Sequence, residues 1–173
     1  MTALPVRKIF NVREYNQMID AGVFVGNNNY ELINREIVSK IKKEQSCNGC
    51  LNRISALLVS QSSKKAIVSI KNAVSIGEIS EPEPEVSILK YRDDFYENAK
   101  PTEKDVLLLI EVSDSTMIYD RKVKISLYAE AGIEEVWLVN LSRKIVEVYT
   151  QPKNGKYKIA GKVGKSQTTT PKL

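Results

Sequence analysis

Glu111, Glu85 and Lys124 are the residues of this 173-residue chain whose types and setting could do chemistry together. Glu111 lies near the end of the apolar run Asp105-Val106-Leu107-Leu108-Leu109-Ile110-Glu111-Val112. Such a run reads as a strand buried on both faces of an α/β sheet. A carboxylate there is unfavourable unless it is paired or holds a metal ion. Glu85 ends Glu81-Pro82-Glu83-Pro84-Glu85, at the mouth of a second apolar segment, Val86-Ser87-Ile88-Leu89. Downstream, Asp120-Arg121-Lys122-Val123-Lys124 opens a helical pattern and supplies a lysine. Two acids on neighbouring strands and a lysine are the chemical minimum for metal-assisted phosphodiester hydrolysis. Carboxylate oxygens bind a hard cation such as Mg²⁺ or Mn²⁺. The cation stabilises charge on the phosphate and acidifies the attacking water. The lysine orients that water or neutralises developing charge.

Composition narrows the alternatives. The chain has no histidine, which excludes His-based dyads and triads and the commonest zinc ligand. Cys47 and Cys50 form one C-x2-C pair with no second pair to complete a zinc site. Both read as small buried residues at the start of a helix in preference to redox or metal-binding groups. Hydrophobic and charged fractions of 42% and 27% are those of an ordinary globular protein. There is no membrane-spanning apolar stretch and no signal-peptide pattern near the N-terminus, so a cytoplasmic location is expected. The net charge is +5, yet residues 151–173 hold six lysines and no acid. The remaining 20 basic and 21 acidic residues leave 1–150 at −1. A basic tail can hold nucleic acid non-specifically, and a solvated terminus explains it as well.

The elements that must position the acids follow from pattern. Residues 11–21 read as a helix capped by Asn11 and ended by Gly22. Residues 30–38 read as two strands around an Asn34-Arg35 turn. Cys50, Leu51, Ile54, Leu57 and Leu58 have helical spacing within 46–61. Ala66–Ile70 alternates as a strand, and Ala73–Ile76 reads as its continuation or as another. Pro82 and Pro84 keep their segment extended before a strand at 86–89. Residues 91–102 read as a polar loop, 105–112 as the buried strand, 113–117 as a turn and 119–131 as a helix stopped by Gly132. A strand at 134–140 and a meander over 144–150 and 156–160 complete the chain. Strand, crossover helix and strand over 105–140 imply a parallel unit. The whole predicts a mixed α/β sheet with helices on both faces. One domain is expected over 1–173, with a flexible N-terminus at 1–9 and a basic tail at 161–173.

Four stretches taken together resemble the Uma2 family, a group of restriction-endonuclease-like proteins abundant in cyanobacteria. They are Pro84–Leu89, Asp105–Ser113, Tyr119–Lys124 and Tyr128–Val139, joined by Tyr30–Val38. The resemblance spans about residues 10–160. It implies similarity to PD-(D/E)xK nucleases, an αβββαβ core, Mg²⁺ or Mn²⁺ as cofactor and DNA as substrate. It places Glu85 on the family's first metal-binding acid, usually an aspartate, and Glu111 on the second. Ser113 stands where the usual lysine would be, and the resemblance moves that role to Lys124. Glu31 matches a further acid lining the site. Asp120, four residues before Lys124, shares its helix face and could pair with it, though it equally suits a helix N-terminal acid. Lys124 itself could equally be a surface lysine of an amphipathic helix. Cys47 stands where the family often has a histidine. Tyr128, Trp137 and Tyr149 read as core or edge aromatics. The expectation is a metal-dependent DNA endonuclease acting as a homodimer. Its rivals are an inactive nucleic-acid-binding or regulatory protein that keeps the fold, and an interaction module without a nucleic-acid role.

Overall fold

The computed structural model describes residues 6–24, 30–62 and 65–171. Helix α1 (Val12–Asp20) begins at a reciprocal cap. The Asn11 side chain accepts the Glu14 N–H, and the Glu14 carboxylate accepts the Asn11 N–H. Strands β1 (Tyr30–Ile33) and β2 (Glu36–Ser39) form an antiparallel hairpin. Its two turn residues, Asn34 and Arg35, both have positive φ, as a tight two-residue hairpin turn requires. After the link 40–44 comes α2 (Gln45–Ser62), followed by β3 (Ala66–Ile70), β4 (Val86–Lys90) and β5 (Val106–Ser113). A helical segment then runs through α3 (Met117–Tyr119), a π turn (Asp120–Lys124) and α4 (Ile125–Glu130). Strands β6 (Glu135–Asn140), β7 (Ile145–Lys153) and β8 (Lys156–Val163) follow.

Strands β3 to β8 form one sheet in sequence order. Only β5 and β6, joined by the helical segment, are parallel; the other neighbours are antiparallel. The sheet is therefore the mixed α/β architecture expected, and α2-β3-β4-β5-helix-β6 is its αβββαβ core. Helix α2 covers one face through Cys47, Leu51 and Leu58, packed with Ile88, Leu108, Ile110 and Val112. The other face packs Leu109, Val136 and Leu138 against Ile125, Leu127 and Tyr128 of α4. Alternation along β5 thus puts Leu109 and Glu111 on the α4 side. Among the described residues no helix is long and apolar enough to cross a membrane.

Three expectations change. Ala73–Ile76 is not a strand. Ser75 and Ile76 make only isolated bridges, to Thr102 and Ser80, although Val74 and Ile76 are buried. The β-branched pattern there reflects burial rather than pairing. Asp105 lies outside β5 because its carboxylate accepts the Thr102 N–H and hydroxyl, closing a 3-10 turn over Glu103–Asp105. Residues 161–163, placed in a basic tail, belong to β8, where Lys162 lies opposite Glu147. Part of the apparently unbalanced charge is therefore matched across the sheet. Lys172, also assigned to that tail, and residues 1–5 of the expected flexible N-terminus lie outside the described residues.

Candidate active site

The register of β4 on β5 brings the two acids together. Val86 pairs with Ile110, so the antiparallel ladder, continued by one residue, sets Glu85 opposite Glu111. The Glu111 side chain is only 1% exposed, whereas that of Glu85 is 11% exposed and lines a cavity of about 1070 Å³. Glu31 of β1, Lys43 of the 40–44 link, and Asp120 and Lys124 of the π turn line the same cavity.

Lys124 is buried at the floor. Its Nζ lies 2.9 Å from Glu31 Oε1 and 3.2 Å from Glu111 Oε1. Burial works against its charge, but the carboxylates of Glu111 and Glu31 outweigh burial and hold the ammonium above its usual range. Lys124 is thus a fixed positive charge and hydrogen-bond donor, not a base. Tyr128, one helical turn later, donates its hydroxyl to Glu111 Oε1 at 2.7 Å. Glu31 Oε1 also accepts the Glu83 N–H at 2.7 Å, which ties β1 to the Pro-rich segment.

The π turn helps place this group. The Ile125 N–H donates to the Asp120 carbonyl five residues back, widening the helix where it crosses Glu111. Asp120 does not take Lys124 as its partner. It accepts the Thr116 hydroxyl at 2.6 Å, and Thr116 in turn contacts Ser113 at 3.0 Å. Ser113 is therefore joined to Asp120 through hydroxyls.

Glu111 Oε2 is buried and accepts no hydrogen bond. Burial pushes the Glu111 carboxyl up to about 7, against the pull of the Lys124 and Lys43 ammoniums. Lys43 is the cation that reaches both strand acids. Its Nζ lies 2.7 Å from Glu85 Oε1 and 3.9 Å from Glu111 Oε2, and it donates to the Val112 carbonyl at 2.7 Å. Lys71 flanks Glu85 at 3.9 Å from Oε2.

The fold thus brings Glu31, Glu85, Asp120 and Lys124 to the lining of one cavity, with Glu111 buried behind it, 3.2 Å from Lys124. Lys43 and the polar role of Tyr128 are absent from the sequence reading. Tyr128 had a signal, since it lies four residues after Lys124 and shares its helix face. Lys43 had only a weak one, the basic run Lys40-Ile41-Lys42-Lys43 before a helix.

The family model of Uma2, described as a putative restriction endonuclease, matches residues 12–172. The chain belongs to the Uma2 family. A search of curated proteins finds no match. Among solved structures, this Uma2 chain is similar to a putative nuclease of DUF820 from Anabaena variabilis ATCC 29413. That match has a TM-score of 0.64 at 14% identity and covers 89% of this chain and 87% of the other. At that identity the likeness establishes a shared fold.

The donor set fits a divalent cation. Glu85 Oε1, Glu111 Oε2 and the Val112 carbonyl are hard oxygens gathered around one positive charge, and one of them has no hydrogen bond. Among the described residues there is no cluster of three or more His, Cys, Asp or Glu side chains arranged for a metal. Two carboxylates and a main-chain carbonyl suit an ion such as Mg²⁺, which keeps several of its waters.

Proposed function

We propose that this Uma2 chain is a metal-dependent endonuclease that hydrolyses DNA phosphodiester bonds, with Glu85 and Glu111 as the metal-binding acids. The observation that carries the reading is the meeting of these two acids from adjacent strands, with one Glu111 oxygen unpartnered beside the buried Lys124. A divalent cation bound there would stabilise charge on the scissile phosphate and lower the pKa of the attacking water. Lys124 supplies a permanent charge beside Glu111, held by Glu31, and acts on the phosphate or orients the water. Tyr128 fixes one Glu111 oxygen and leaves the other for the cation. Asp120, anchored by Thr116, adds negative charge behind the site. Lys40, Lys42 and Lys71 line the cavity and suit a phosphate backbone. A homodimer would supply two such sites for the two strands.

Plasmid nicking tests the reading. The parent should nick in Mn²⁺ better than in Mg²⁺, because Glu85 is longer than an aspartate and Mg²⁺ demands near-ideal octahedral geometry. Glu85→Asp should raise the Mg²⁺-supported rate. Glu111→Ala should lower nicking at least about a hundredfold with either ion. Nicking that survives Glu111→Ala would exclude this site. The second reading is a nucleic-acid-binding protein without catalysis. It is favoured by Ser113 in the place of the nuclease lysine, and it predicts salt-dependent DNA binding with no nicking in either metal.

A further inference from the structure

Lys43 sits in an unusual place for a lysine from a connecting segment. It belongs to the link 40–44, which has no helical or strand structure, yet its Nζ reaches between the two central strands. There it meets an anionic oxygen from β4's entrance, a main-chain carbonyl of β5 and, at longer range, the second carboxylate. These are the oxygens assigned above to the divalent cation. The match is incomplete in one respect. The ammonium is within hydrogen-bond distance of Glu85 and Val112, and Glu111 Oε2 receives no hydrogen bond. The single ammonium satisfies two acceptors and leaves the third open. Burial opposes the charge on Lys43, but Glu111 and Glu85 more than offset it, so the group remains an ammonium.

We propose that Lys43 is the resident counter-ion of the metal site: its ammonium holds the place of the divalent cation and leaves when the cation binds. This inference rests on the metal-dependent reading and adds a residue that the reading does not need. Its physical basis is competition. A divalent ion drawing on the oxygens that the ammonium already contacts is repelled by it, so each lowers the apparent affinity of the other. The metal-competent form is the one with Lys43 withdrawn, and apparent affinity falls by the fraction of molecules in that form. The carboxylates are meanwhile kept from facing each other unscreened in the metal-free protein. Once displaced, Lys43 would lie at the cavity mouth with Lys40, Lys42 and Lys71.

Mn²⁺ binding to the DNA-free protein, followed by the EPR signal of free Mn²⁺, provides the test. Lys43→Met should bind Mn²⁺ about tenfold more tightly than the parent. Lys71→Met removes an equal charge near Glu85 without vacating the shared oxygens, and should change affinity by less than about threefold. Equal affinity in the parent and Lys43→Met would overturn the counter-ion role and leave the metal site standing. Equal tightening by both substitutions would also overturn it, since charge alone would explain the effect. No Mn²⁺ binding by any of the three would overturn the metal reading and this inference together. A measurement on the unaltered protein guards against misfolding of the variant. Acetylation of Lys43 by an activated ester, read by peptide mass spectrometry, should rise on adding Mn²⁺. Unchanged or reduced reactivity at saturating Mn²⁺ would refute the displacement.

Discussion

Glu81 and Glu111 are both buried carboxylates on this chain, each with 1% of its side chain exposed, and they are held in different ways. Both oxygens of Glu81 are satisfied. Oε2 accepts from Asn16 Nδ2 at 3.0 Å and Ser75 Oγ at 3.2 Å, while Oε1 takes the Lys100 ammonium. Lys100 also reaches Asn16 Oδ1, closing a loop that ties α1 to the segments before β4 and β5. Glu111 has one oxygen served by Tyr128 and Lys124 and the other without a hydrogen bond. A fully satisfied buried acid specifies packing. A half-satisfied one among several charges is where a ligand can add the missing interaction.

The largest expected effect separates the two lysine partners. Lys124→Met leaves Glu31 and Glu111 buried together without their shared ammonium, and should destabilise the protein by about 3–5 kcal/mol at pH 8. Lys100→Met leaves Glu81 with two hydrogen bonds, and the lost partner is 45% exposed, so after solvent screening the loss should be about 1 kcal/mol. Urea denaturation of both variants measures the difference. Equal losses would show that the two sites are energetically alike.

A somewhat smaller effect concerns pH. The Glu111 carboxyl is raised by burial from 4.5 to about 7, so the folded state holds its proton more tightly than the unfolded state does. That stabilisation is fully present below about pH 4.5 and is lost as pH rises through about 7. In chelator-treated protein the stability of the parent relative to Glu111→Gln should therefore fall by on the order of 3 kcal/mol across this range. A flat difference would mean that Glu111 is already ionised at the acid end. Saturating Mn²⁺ should shrink the slope, because a bound cation favours the carboxylate.

The smallest effect isolates one hydrogen bond. Tyr128→Phe removes the hydroxyl donated to Glu111 and should lower stability by about 1–2 kcal/mol. It should weaken Mn²⁺ binding only modestly, since the hydroxyl contacts the other oxygen. A large loss of metal affinity with unchanged stability would instead place Tyr128 in direct contact with the cation.

The sequence carried much of the framework because strand and helix periodicities are local. The run 105–112 could be read as buried on both faces, and the apolar stripe of 46–61 as a helix, from neighbours a few residues apart. Where the local signal measured burial alone, as at Ala73–Ile76, it suggested a strand that the backbone does not form. The acids at 85 and 111 were visible because a charge in or beside an apolar run stands out.

What only the tertiary structure decided is which cation meets which acid. Asp120 and Lys124 looked like partners at helical spacing, but the π turn and the arrival of Glu31 from β1 gave Lys124 to Glu31 and Glu111, and Asp120 to Thr116. Lys43 reaches oxygens on strands that lie more than forty residues away along the chain. No period of 2 or 3.6 encodes such a contact. It depends on where a link between β2 and α2 passes over the finished sheet, and on a buried carboxylate strong enough to hold a long flexible side chain there.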